Sequence, residues 1–131
     1  MGYRTDEHRM HYIAYHLVWP VKRNKRVLYG KIKQECKKLI EMKCCEKGWE
    51  VLDLRVEPHY VYLHVQAWPG TSAFEVIKDC KALTSHELRF RHAVLLKLPS
   101  LWTKAFFAST QEKLKDKQIL GYIGLEAFRN E

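Results

Sequence analysis

Residues 49–68 read WEVLDLRVEPHYVYLHVQAW. Successive residues of a strand point to opposite faces of its sheet, so apolar and polar positions that alternate mark a strand with one covered face. Tyr60–Trp68 alternates cleanly. Val61, Leu63, Val65 and Ala67 fall on one face, and Tyr60, Tyr62, His64 and Gln66 on the other. Trp49–Glu57 alternates as well, with Leu52, Leu54 and Val56 expected on one face. Only Pro58-His59 separates the two runs, which predicts an antiparallel hairpin, closed downstream by Pro69-Gly70.

Upstream of the hairpin, His11–Trp19 (HYIAYHLVW) is rich in β-branched and aromatic residues and predicts a strand ending at Pro20. Lys22, Arg23, Lys25, Arg26, Lys31 and Lys33 follow without an intervening acid. From Tyr29 to Lys47, Ile32, Cys36, Leu39, Ile40 and Cys44 recur at helical spacing, and Gly48 supplies the stop. Downstream, Ser72 with Glu75 is a capping-box signature for a helix over Ser72–Phe90. Val94–Ser100 reads as a loop and Ala105–Thr110 as a short strand. A last helix is expected over Lys113–Phe128, packing through Leu120, Ile123 and Ala127. Gly121 and Gly124 each cost that helix about 1 kcal/mol relative to alanine, so tertiary contacts must hold it.

The order β-α-β-β-α-β-α predicts an α+β fold. Its first six elements form the ferredoxin-like arrangement, a four-stranded antiparallel sheet with two helices on one face. Those helices are expected over Val61, Leu63 and Val65. The Tyr60, Tyr62, His64 and Gln66 face is left for the last helix to cover.

A length of 131 residues fits a single domain over 1–131. Hydrophobic residues at 47% and charged residues at 29% exclude disordered and low-complexity classes. Twenty-three Lys and Arg against 15 Asp and Glu leave a net charge of +8, which favours a polyanionic partner. No apolar run is long enough to span a bilayer, and Met1–Arg9 is polar, so a cytoplasmic protein with no membrane partner is expected. Cys36, Cys44, Cys45 and Cys80 form no C-x-x-C pair and are expected as reduced thiols, not a zinc site.

Tyr60 and Tyr62 lie side by side on the expected open face, where they could stack on nucleotide bases. The K/R-G-F/Y-G/A-F signature of RNA-recognition modules is absent. On the last helix Tyr122 and Glu126 share a face with Gln118 one turn earlier. A phenol beside a carboxylate and a sheet histidine could form a phosphoryl-transfer centre. Lys22, Arg23, Lys25 and Arg26, with Lys81, Arg89 and Arg91 on or after the second helix, are candidate phosphate contacts.

Several motifs in order raise the second possibility. They are Tyr15-His16-Leu17-Val18-Trp19 before the basic stretch and Val27-Leu28, then Cys80-Lys81-Ala82-Leu83-Thr84-Ser85-His86-Glu87-Leu88. Next come Leu101-Trp102 ahead of Phe106-Phe107-Ala108-Ser109-Thr110, and finally Tyr122-Ile123-Gly124-Leu125-Glu126. Over His11–Ala127 the chain resembles the single-tyrosine HUH transposases of small insertion sequences, the IS200-like transposases. The resemblance implies binding to DNA hairpins and cleavage of adjoining single-stranded DNA. In that reaction a tyrosine attacks the scissile phosphate, leaving a 5′-phosphotyrosine link and a 3′-hydroxyl. It also implies a homodimer, with Mg²⁺ or Mn²⁺ held by two strand histidines and a polar residue one turn after the tyrosine. Carried over, Tyr122 is the nucleophile and Glu126 stands in the polar ligand position.

The pattern breaks at its centre. Where the family reads like PDHVHLLV, this chain has Pro58-His59-Tyr60-Val61-Tyr62-Leu63-His64-Val65. Both histidine positions are tyrosines, and a neutral phenol is a poor ligand for a hard divalent ion. Three outcomes follow: a site that has lost catalysis and keeps DNA binding, a metal site relocated to His64, Gln66 and Glu126, or recruitment of His59 by a local bulge. The function expected first is therefore DNA transposition with a degenerate or relocated metal site. The alternatives are a catalytically inactive nucleic-acid-binding module on the same fold, or a ferredoxin-like interaction domain.

Overall fold

The computed structural model describes residues 13–110 and 119–124. In chain order it contains β1 (Ile13–Pro20), α1 (Gly30–Lys47), β2 (Glu50–Glu57), β3 (Tyr60–Ala67), α2 (Ala73–Arg91) and β4 (Phe107–Ser109). Short 3₁₀ turns occupy Lys22–Asn24 and Ala93–Lys97, and 119–124 is helical. The sheet order is β2-β3-β1-β4 with every pair antiparallel, the arrangement expected from the sequence.

Both long helices end as their sequences dictate. The Ser72 hydroxyl accepts the Glu75 backbone N–H at 3.1 Å, capping α2. Glu75 in the first turn of α2, with Arg89 and Arg91 in its last, suits the helix dipole. Helix α1 closes at Gly48, whose φ of 78° is left-handed and lets its N–H reach the Cys44 and Cys45 carbonyls.

The main core lies between the sheet and the two helices. Leu17 and Trp19 of β1 and Val61, Leu63 and Val65 of β3 pack with Leu39 and Ile40 of α1 and Val76, Ile77 and Leu88 of α2. Trp102 closes one end. Its ring meets Trp19 edge-on at 6.1 Å, and its indole N–H donates to the Thr84 hydroxyl, which in turn donates to the Cys80 carbonyl. The Thr-Ser and Leu-Trp motifs of the sequence are thus packing devices that tie α2 to the end of β1. Cys36, Cys44 and Cys80 are buried free thiols in this core and Cys45 is exposed. Burial pushes the Cys36 thiol up to about 12.

The second face of the sheet is also covered. Val18, Tyr62, Ile119 and Ile123 form a separate buried cluster, with Tyr60, Phe107 and Tyr122 packed around it. The helical segment 119–124 therefore docks on its own chain's sheet. Among the described residues no helix is long and apolar enough to cross a membrane.

The structure differs from the sequence reading in four places. A bulge between Val51 and Asp53 shifts the β2 register, so Val51 replaces Leu52 beside Leu54 and Val56, and Leu52 turns outward at 39% exposure. Tyr62 and Gln66 are buried at 4% and 3% exposure, so the second face is not open along its length. The expected loop over 94–100 begins as the 3₁₀ turn Ala93–Lys97, and β4 has three residues where six were expected. Of the expected last helix over 113–128, only 119–124 falls within the described residues.

Candidate nucleic-acid interface

Strand register arranges the second face in rows. One row runs Arg55, Tyr62, Val18, Phe107 across all four strands; the next runs Asp53, His64, His16, Ser109. Ile119 and Ile123 pack on Val18 and Tyr62, and the Tyr122 ring lies 5.4 Å from the Phe107 ring. Tyr122 is thus brought to the β4 end of the row that contains Tyr62. The Arg55 guanidinium sits 5.1 Å above the Tyr62 ring, a cation–π distance.

The Tyr62 hydroxyl lies 2.7 Å from Nδ1 of His16. The His16 ring stacks on His64 with centroids 3.9 Å apart and planes inclined by 15°. His16 is 3% exposed. Its Nε2 and the Gln66 Oε1 are buried without a hydrogen-bond partner among the described residues. Burial, and then the neighbouring His16, hold the His64 imidazole below its usual value of 6.5, with Asp53 opposing.

Sequence reasoning missed His16. It stands two residues before Val18 in a strand quoted for its β-branched and aromatic residues and as a motif of the resemblance, and parity alone places it on the second face. That it meets His64 depends on the β1–β3 register, which local sequence does not encode. Asp53 falls on the second face by parity too, but that it stands opposite His64 depends on the β2–β3 register.

Tyr60 is partly buried next to Pro20 in the register. His59 lies in the hairpin turn, outside the face rows, with its ring 5.0 Å from Tyr60. No bulge at its position brings it onto the face: the register between β2 and β3 shifts only between Val51 and Asp53. Burial, and then the nearby Arg26, depress the His59 imidazole. Glu126 and Gln118 lie outside the described residues.

The basic candidates divide into two groups. Arg23, Lys25 and Arg26 are exposed and Lys22 is partly so, on a loop fixed at several points. Val21 N–H bonds the His59 carbonyl, Lys22 N–H the Leu101 carbonyl, and Val27 and Leu28 N–H the Pro58 carbonyl. Arg23 and Asn24 both adopt a φ of 56°, an uncommon left-handed pair that turns the loop tightly. The loop therefore stands beside the hairpin turn, at the Tyr60 end of the second face. The other group is already engaged. Lys81 Nζ donates to the Thr103 carbonyl at 2.7 Å, with burial lowering its pKa. Arg89 donates to the Leu98 carbonyl. Arg91 pairs with Glu87 and Glu35.

The positions that the resemblance assigns to a metal do not fit one. A neutral phenol at Tyr60 and Tyr62 is a weak donor, and the Tyr62 oxygen is committed to His16. Among the described residues no three His, Cys, Asp or Glu side chains gather in a way that could hold an ion.

A tyrosine thus stands on a helical segment docked over the side of the β-α-β-β-α-β sheet that α1 and α2 leave uncovered, with a basic loop at one end. The family described as "Transposase IS200 like" matches residues 9–125, and the chain belongs to it. It is 25% identical over 114 residues to the ISDra2 transposase TnpA of Deinococcus radiodurans, covering 85% of this chain and 81% of the relative. A solved structure of a Deinococcus radiodurans R1 protein described as a transposase shares the fold with a TM-score of 0.85 at 24% identity, covering 94% of this chain and 97% of that one. A REP-associated tyrosine transposase, solved bound to a REP hairpin, superposes with a TM-score of 0.60 at 15% identity, covering 95% of this chain and 74% of that one.

Proposed function

We propose that this transposase-family chain binds a DNA hairpin and cleaves adjoining single-stranded DNA through Tyr122. The observation that carries the reading is the docking of 119–124 on the second face, which sets Tyr122 against Phe107 in the row containing Tyr62. In the step, the Tyr122 oxygen bonds to the scissile phosphorus and its proton is released. The bond from phosphorus to the 3′-oxygen breaks, and that oxygen takes a proton to become a 3′-hydroxyl. The products are a 5′-phosphotyrosine and a free 3′ end, and rejoining reverses the sequence. No step is routed through an ion at Tyr60 and Tyr62.

Phosphate contacts are assigned to Lys22, Arg23, Lys25 and Arg26, because the other candidate cations are bonded within the fold. Stacking on an unpaired base is assigned to Tyr60, beside that loop. The active form is a homodimer, with β2 and β4 the sheet edges from which strands could pair between subunits.

A second reading, a nucleic-acid-binding module without cleavage, is favoured by the commitment of Tyr62 to His16, which spoils the metal position. One experiment separates the two. The chain is incubated with single-stranded hairpin DNA and Mg²⁺ or Mn²⁺, then run on a denaturing gel. A covalent adduct lost in Tyr122→Phe supports cleavage. Salt-sensitive binding without an adduct supports the second reading, and no binding at low salt overturns both.

A further inference from the structure

We propose that His16, His64 and Gln66 bind one divalent transition-metal ion on the helix-covered face of the sheet. The site differs from the positions of Tyr60 and Tyr62, because it takes one imidazole from β1 and the other from further along β3. Directly opposed residues of antiparallel strands hold their Cβ atoms about 4.5–5.5 Å apart. His16 is opposed to His64 in this way, and their rings already lie 3.9 Å apart. With His16 held by Tyr62, turning the His64 ring out of the parallel stack about its Cβ–Cγ bond brings one of its nitrogens toward an ion on His16 Nε2, which needs nitrogen–metal distances of about 2.0–2.1 Å.

Tyr62 determines which nitrogen of His16 is available. A neutral imidazole carries one N–H, and an oxygen 2.7 Å from Nδ1 can accept it. With the proton on Nδ1, Nε2 presents a lone pair, as in metal sites where an outer oxygen orients the ligating ring. Nε2 is also the atom buried without a partner among the described residues. The same holds for Gln66 Oε1, on the same face two residues beyond His64. An unmet acceptor at each of two buried side chains is costly in a folded chain, and a cation answers both at once. Asp53, opposite His64 on its other side, is bonded through its carboxylate to Arg55 at 3.2 Å. The donor set is therefore two imidazoles and a carboxamide, which selects a Zn²⁺-like ion over Mg²⁺. The tyrosine at position 62 thus becomes an outer partner of a displaced site.

The use of such an ion in DNA cleavage rests on the function proposed above; its binding does not. The test is Zn²⁺ titration of the full chain by calorimetry, with imidazole ¹⁵N spectra recorded alongside. The expected result is saturable uptake of one ion, with shifts at the His16 and His64 ring nitrogens. His16→Gln and His64→Gln should each weaken uptake at least about tenfold, and Cys45→Ser should leave it unchanged. If His16→Gln fails to fold by circular dichroism, the wild-type ¹⁵N shifts and His64→Gln decide. Absence of saturable uptake, or uptake that keeps its affinity in His64→Gln without imidazole shifts, overturns the site. Hairpin binding and adduct formation are read separately, so either conclusion can fail without the other.

Discussion

His64 and His59 show at single residues how the fold sets chemistry. Both imidazoles are held below 6.5, first by burial and then by a neighbouring basic group, His16 or Arg26. The unfolded chain therefore takes up protons near pH 6.5 that the folded chain refuses until lower pH. Stability contributed by the neutral rings is complete above that value and is lost as pH falls through the depressed range. Thermal melts between about pH 7.5 and pH 5.5 should show Tm falling with acidity, and falling less in His64→Gln. A Tm that rises on acidification would contradict this. Glu35, held below the usual carboxylate range first by its hydrogen bond from His92, acts in a separate window at lower pH. The sequence placed His64 on the second face by parity alone. It did not reveal His16 as its neighbour, since pairing between strands is a tertiary property.

At the scale of elements, the hairpin was readable because Val61, Leu63 and Val65 alternate with polar residues and two turn residues separate the runs. The β2 bulge was not, because Val51 and Leu52 are both apolar and nothing local decides which faces the core. The Gly48 stop was legible and can be tested. A Cβ there would meet Trp68 Nε1 at 3.0 Å in a left-handed backbone, so Gly48→Ala should cost roughly 1–2 kcal/mol in urea unfolding. No change would mean that the α1 terminus relaxes freely. The last helical segment is held differently, by a small cluster separate from the main core. Ile123→Ala should loosen 119–124 by roughly 2–3 kcal/mol while leaving α1 and α2 protected in hydrogen exchange. Unchanged protection at 119–124 would show that the segment is held by something other than this cluster.

For the whole molecule, a charge of +8 pointed to a polyanion, but only the fold shows which cations are available. Replacing Arg23, Lys25 and Arg26 together with alanine should lower the slope of log affinity against log salt by about 2–3 for hairpin DNA. Lys81→Ala should leave that slope unchanged, because its ammonium is bonded to the Thr103 carbonyl. Equal effects from both variants would disprove the division of the basic residues. Family and architecture were legible because their motifs are packing motifs, from Tyr15–Trp19 to Leu101-Trp102. The candidate site was less so, because it is assembled from β1, β3 and the last helical segment and departs at positions 60 and 62 from the pattern that the resemblance implied. The most direct measurement of the central claim is peptide mapping of the DNA-linked protein by mass spectrometry. The nucleotide mass should fall on the peptide containing Tyr122, and its appearance on the Tyr60–Tyr62 peptide would contradict the account.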